Sequence, residues 1–226
     1  MNVSEALQSR ISCRAFLDDP VPEKTVRPIL AGAAQAPSGG NLQPWRIYAL
    51  AGLALQALLA QVRERMKETP RGDGLEYAIY PADLKEPYAA RRFKCGEDLY
   101  ATIDIARDDK LGRIEQFKQN FEFFGAPVGL FLYLDRTMGP PQWADCGMYL
   151  QSLMLLAREH GLHTCPQESW AQWHSTVAAH IDPPDELMLF CGVALGYMDE
   201  QAAVNGLRTE RAGLDEFAEL MGFEPD

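Results

Sequence analysis

Two short stretches of this chain carry residue types that could do chemistry together. In Arg10-Ile11-Ser12-Cys13-Arg14 an extended backbone would turn alternate side chains to one face, so Arg10, Ser12 and Arg14 converge. Two guanidiniums flanking a hydroxyl suit a phosphate: the Arg forks match its oxygens and the hydroxyl adds a donor. A solvated edge strand with scattered charges is the alternative. The second stretch, Pro37-Ser38-Gly39-Gly40-Asn41-Leu42-Gln43-Pro44-Trp45, breaks the periods on either side and reads as a loop. Its paired glycines permit left-handed backbone and the close approach of a neighbour, as a flat polar ligand would need. Taken alone, the loop is equally a plain helix-to-strand connection.

The elements that must position these residues follow from hydrophobic spacing. Val3, Ala6 and Leu7 mark a helix over 2–10, and Val26, Ile29, Leu30 and Ala33 mark another ending near 35. Pro28 is tolerated only near a helix start, which predicts that this second helix begins around Thr25. A strand at 46–50 and a helix at 52–67 come next. Residues 68–94 form an irregular excursion punctuated by Pro70, Gly72, Gly74, Pro81 and Pro87, read either as a lid or substrate wall or as a surface segment packed by its own aromatics. Within it, Tyr88, Arg91, Arg92, Phe93 and Lys94 set rings beside cations, which would suit a flat aromatic carboxylate. A solvated helix face is the other reading.

Further on, 98–124 reads as one or two helices, and 127–135 and 187–196 read as buried strands. The longest helix, 142–160, is apolar almost all round and so belongs in a core or an interface, with Gly161 closing it. A polar loop at 160–169, a helix at 170–180 and a tail from 198 with a short helix at 214–221 complete the chain. His160, His163 and Cys165 have no second ligand group at zinc-like spacing, so no metal site is expected. No repeat or linker divides the chain, which predicts one domain over 1–226.

Composition narrows the function. The 226 residues carry 21 basic and 32 acidic side chains, a formal net charge of −11, which argues against nucleic-acid and anionic-membrane partners. The N-terminus has no signal-like apolar region, and the longest apolar runs fall short of the roughly 18 residues a membrane span needs. Five cysteines without a CxxC read as reduced thiols in a cytoplasmic protein. GxSxG, P-loop and GxGxxG motifs are all absent.

In tandem, Arg10-x-Ser12-x-Arg14-x-Phe16 and Pro37-Ser38-Gly39-Gly40-Asn41-x-Gln43-Pro44-Trp45 resemble the FMN-dependent nitroreductase family. Asn120 to Pro127, Asp145-Cys146-Gly147, Gly161 to Pro166, Gly196-Tyr197 and Arg208-x-x-Arg211 extend the resemblance over nearly the whole chain. It implies an α+β fold with a central mixed sheet wrapped by helices, built as an intertwined homodimer whose arm, 198–226, reaches onto the partner. It also implies FMN at the dimer interface. Arg10, Ser12, Arg14 and Arg211 would hold its phosphate and ribityl chain, with Arg208 replacing the basic residue that Thr209 displaces. Pro37, Ser38, Gly39 and Asn41 would come from the other subunit. Pro166, Glu168 and Ser169 would line the ring system, with Ser169 standing where many members have glycine, and 118–120 would lie nearby.

No catalytic side chain is implied, because flavin N5 carries the hydride in a ping-pong cycle. NADPH or NADH reduces FMN and leaves, and a small planar electron-poor aromatic, such as a nitroarene, a nitrobenzoate or a quinone, takes its place against Tyr88, Arg91, Arg92 and Phe93. The same scaffold could serve reductive dehalogenation, enoate reduction or flavin fragmentation. Apart from the resemblance, an acidic, helix-rich binding protein without enzymatic activity is the remaining alternative.

Overall fold

The computed structural model describes residues 1–223. Residues 224–226, the end of the expected arm and of the expected single-domain span, lie outside the described residues. The α-helices are α1 (Val3–Ser9), α2 (Glu23–Ala33), α3 (Gly52–Glu68), α4 (Tyr88–Ala101), α5 (Lys110–Lys118), α6 (Pro140–Glu159) and α7 (His174–Ile181). The strands are β1 (Arg46–Ala51), β2 (Val128–Asp135), β3 (His163–Gln167) and β4 (Leu187–Gly196), in the spatial order β1-β2-β4-β3. This is an α+β architecture. Neighbouring strands all pair antiparallel, so the four-stranded sheet is antiparallel where a mixed one was expected; an isolated parallel bridge joins Ser12 to Thr164 beside β3.

Strand β2 is the centre of the core because its side chains are buried on both faces. Val128, Leu130, Leu132 and Leu134 pack with α2 and α6, while Phe131 and Tyr133 pack with α3, Phe123, Trp170 and Trp173. A register shift between Leu132 and Tyr133 changes which side chains of β4 face each layer: Cys191, Val193 and Leu195 join the first, Leu189 and Ala194 the second.

Several elements depart from the pattern read in the sequence. Helix α2 starts at Glu23, two residues earlier than expected, and carries Pro28 inside it. Both Pro28 and Lys24, whose carbonyl loses its helical donor, face solvent, so water takes over that bond. Residues 163–167 are an edge strand and not a loop: Pro166 lacks an N–H but sits on the outermost strand, where a missing donor is tolerated. The excursion is irregular only over residues 69–87, after which α4 begins. The expected helix at 170–180 divides into a 3-10 turn, Glu168–Trp173, followed by α7. Only a 3-10 turn, Leu214–Glu216, remains of the helix expected at 214–221.

The packing against β4 is tight enough to test. A Cβ on Gly192 would fall inside contact distance of the buried Trp170 indole. Gly192→Ala is therefore expected to lower unfolding stability by roughly 1–3 kcal/mol, read as a shift in denaturant midpoint at constant slope. An unchanged midpoint would show that the indole can move aside.

Candidate functional site

Residues 10–16 run between the β3 edge and the C-terminal tail, and both sides hold them. The Cys13 N–H donates to the Thr164 carbonyl at 3.0 Å. On the other side the Arg14 N–H donates to Asn205 Oδ1 at 2.7 Å, and Asn205 Nδ2 donates to the carbonyls of Ala15 and Asp199 at 2.8 and 2.9 Å. This clamp brings Arg10, Ser12, Arg14, Arg208 and Arg211 around one pocket of about 360 Å³. Leu207, Thr209 and, from α4, Cys95 also line it, and among the described residues its lining contains no carboxylate.

The four guanidiniums make no ion pair among the described residues. Arg14 donates to the Ser12 carbonyl at 3.2 Å, Arg208 to that of Asn205 at 2.8 Å, and Arg211 to Thr209 Oγ1 at 2.7 Å. Burial, and then repulsion from Arg211, pulls the Arg10 pKa below its usual value. Uncompensated like charges gathered in a protein of net charge −11 make a receptor for an anion with several oxygens, such as a phosphate monoester.

Pro166 lies on β3, and Glu168 and Ser169 open the 3-10 turn that follows, so all three continue the edge beside which Arg10 to Arg14 run. Ser169 Oγ is buried without a hydrogen-bond partner. Gln167 Nε2 donates to the Asn120 carbonyl at 2.6 Å, which makes Asn120 the member of 118–120 that is tied to the end of β3.

Pro37, Ser38, Gly39 and Asn41 are elsewhere. They precede β1, at the opposite edge of the sheet, three strand spacings or roughly 14 Å away. The loop's form is built by local and long-range bonds together. Gly40 (φ 58°) and Asn41 (φ 57°) are left-handed, and the Gln43 N–H donates to Ser38 Oγ at 3.0 Å. Buried Asp145 of α6 accepts from the Gly39 N–H at 3.2 and 3.3 Å, and Trp45 stacks on Tyr149 at 5.0 Å. Within one chain these residues do not reach the arginine pocket.

The expected cationic patch is on the first turns of α4, helical and not irregular, and it does not act as one group. Arg91 pairs with Glu216 at 2.9 Å, while Lys94 pairs with Asp98 at 2.6 Å and Glu210 at 3.3 Å. Arg92 lies over the Tyr80 ring at 4.1 Å, Phe93 lies under Arg107 at 5.0 Å, and Tyr88 is exposed. The parts that three residues play were not foreseen from sequence. Cys95 is one helical turn beyond Arg91, and that spacing could have flagged it. Asn205 and Asp145 act across 191 and 106 residues of chain, so no local pattern announces them.

Comparison with known proteins gives the family of the chain. The family model described as "Nitroreductase family" matches residues 7–197. The chain belongs to the nitroreductase family. A 4-nitrobenzoate reductase of Pseudomonas putida is 41% identical over 216 residues, 96% of this chain and 94% of that protein. The crystal structure of the FMN and NADPH-dependent nitroreductase NfnB from Sphigopyxis sp. strain HMH matches with a TM-score of 0.95 and 51% identity, covering 99% of this chain and all of that one. The FMN-dependent nitroreductase NfnB from Mycobacterium smegmatis, solved in complex with NADPH, matches with a TM-score of 0.90 and 31% identity over 97% and 99% of the two chains.

Among the described residues of this nitroreductase, no group of three His, Cys, Asp or Glu side chains could hold a metal ion, and no helix is long and apolar enough to cross a membrane. One titratable group lies behind the arginine pocket. His163 is 7% exposed, and its Nδ1 has no partner. Burial first, then the charges of Arg158 and Arg208, lower its pKa from 6.5 to about 4. Between those values the unfolded chain binds a proton that the folded chain refuses. His163 thus contributes stability above pH 6.5 that is lost as pH falls toward 4, by at most on the order of 3 kcal/mol. Unfolding curves across that interval should fall less steeply for His163→Gln than for wild type; equal slopes would contradict this.

Proposed function

We propose that this nitroreductase uses NADPH or NADH to reduce small planar nitroaromatics, with FMN held where two copies of the chain meet. The observation that carries the reading is the carboxylate-free pocket of Arg10, Ser12, Arg14, Arg208 and Arg211 in a chain of this family. The 4-nitrobenzoate reductase and the FMN- and NADPH-dependent relatives supply the reaction class.

The residues present fit FMN. The guanidiniums and the Ser12 hydroxyl suit its phosphate, and Pro166, Glu168 and Ser169 continue from that pocket as a wall for the ring. The unpartnered Ser169 Oγ is a polar atom that a ring edge bearing N–H and C=O groups would satisfy. When bound, FMN supplies two-electron reduction, relaying reducing equivalents from the nicotinamide to the nitro group. The chain's own part is binding, orientation and exclusion of water. On this reading Tyr88, Arg91, Arg92 and Phe93 of α4 stand toward the substrate.

A homodimer is part of the reading, because Pro37, Ser38, Gly39 and Asn41 can join an arginine pocket only on another copy. Three features support it. Strand β1 ends the sheet with an unpaired edge; the arm exposes Leu214, Phe217, Leu220, Met221 and Phe223; and α6 leaves Ala144, Gly147 and Met148 open to solvent. Contiguous apolar surface of this kind marks an interface. A cytoplasmic setting is also part of it, supported by five unpaired cysteine thiols.

FMN titration tests the cofactor. A charge-assisted hydrogen bond is worth roughly 1.5–3 kcal/mol, so Arg14→Ala and Arg211→Ala should each weaken FMN about ten- to a hundredfold. Wild-type affinity in both variants would overturn the phosphate assignment. Sedimentation should give a dimer at micromolar concentration, and a monomer that keeps FMN would contradict the shared site.

A further inference from the structure

Helix α4 carries three cations within four residues, and the structure separates them. The charges of Arg91 and Lys94 are answered by Glu216, Asp98 and Glu210. Arg92 makes no ion pair and no hydrogen bond among the described residues. Its guanidinium carbon lies over the Tyr80 ring, 4.1 Å from the centroid. A cation–π contact of this kind holds the guanidinium at the ring while its N–H groups stay uncommitted among the described residues, available to an anion.

Arg92 also lines a cavity of about 520 Å³ between α4 and the excursion. Ala82 and Leu84 form one side, and the Phe93 and Tyr100 rings stand on the helix side. One carboxylate lines this space, that of Glu97, and Arg113 takes it through two bonds of 2.6 and 3.0 Å. The cavity is thus a slot with aromatic and small apolar walls, its acid neutralised and one uncommitted guanidinium present. Arg92 is three residues from Cys95, about 4.5 Å along the helix axis, and Cys95 lines the arginine pocket. The slot and the pocket therefore share one helix.

We propose that Arg92 recognises the carboxylate of an aromatic nitro acid, making nitrobenzoates the substrate class this enzyme prefers over neutral nitroarenes. The inference rests on the nitroreductase reading above. The two oxygens of a carboxylate match the uncommitted N–H groups of that guanidinium, and the ring lies against aromatic and aliphatic walls. Lysine at this position would keep the charge but lose the paired geometry.

The test uses the FMN-loaded enzyme with 4-nitrobenzoate and its uncharged methyl ester, in wild type, Arg92→Gln and Arg92→Lys. Arg92→Gln should lower kcat/KM for the acid ten- to a hundredfold, mainly through KM, and leave the ester within about twofold. Arg92→Lys should fall between. Calorimetric titration with benzoate, which is not reduced, should show the same weakening in Arg92→Gln without any turnover. Equal losses for acid and ester, or unchanged benzoate affinity, would overturn the role of Arg92 while ester reduction by wild type would still uphold the nitroreductase reading. Reduction of neither compound by a flavin-loaded wild type would remove that reading and this inference with it.

Discussion

The site depends on holding like charges together. Arg10, Arg14, Arg208 and Arg211 share a pocket with no carboxylate in its lining among the described residues, and mutual repulsion opposes that arrangement wherever the anion is missing. Burial first, and then repulsion from Arg211, lowers the Arg10 pKa, in keeping with that cost. What opposes the repulsion is backbone hydrogen bonding on both sides of residues 10–16. Thr164 holds one side, and Asn205 holds the other with two bonds from a single buried amide, whose third bond ties it to Asp199. The Leu17 N–H also donates to the Tyr197 carbonyl at 2.9 Å, so the segment is fixed beyond the arginines themselves.

The order of the strands then sets the problem that function must solve. The arginine-bearing segment runs beside β3 at one edge, and the glycine loop precedes β1 at the other. A rigid, doubly buried β2 lies between them, so no plausible loop movement brings the two halves together in one chain. The C-terminal segment adds a second link. Arg208 and Arg211 line the pocket while Glu210 and Glu216, on the same segment, reach Lys94 and Arg91 of α4. Exposed ion pairs of this kind are each worth little, about 0–1 kcal/mol, so they register α4 against the pocket without contributing much to stability.

Much of this was legible in local pattern. The alternation Arg10, Ser12, Arg14 and the turn-forming run at 37–45 needed only short-range rules, and both stretches have the local form those rules imply. The buried strands were visible as continuous apolar runs. Edge strand β3 was not, because Pro166 and flanking polar residues imitate a loop, and pairing with β4 and with Ser12 is what makes it a strand. Residues 170–180 likewise read as one helix, although packing of Trp170 and Trp173 into the core tightens the first part to a 3-10 turn. The cations of α4 illustrate the limit most plainly. Sequence sets Arg91, Arg92 and Lys94 side by side as equals, and the ion pairs that distinguish them include two with acids more than a hundred residues away.

The central claim is that one FMN site takes its arginines from one copy of the chain and its glycine loop from another. FMN content of hybrid dimers measures this most directly. One chain carries Arg14→Ala with Arg211→Ala; the other carries Gly39→Val, a position where an added Cβ meets only Asp145 at 4.0 Å, so that the fold itself has room. Each variant alone should lose FMN. In a hybrid of the two, one site combines an intact pocket with an intact loop, and about one FMN per dimer should return. Hybrids that stay empty, while both parent proteins remain folded, would mean that pocket and loop act within a single chain and would contradict the shared site.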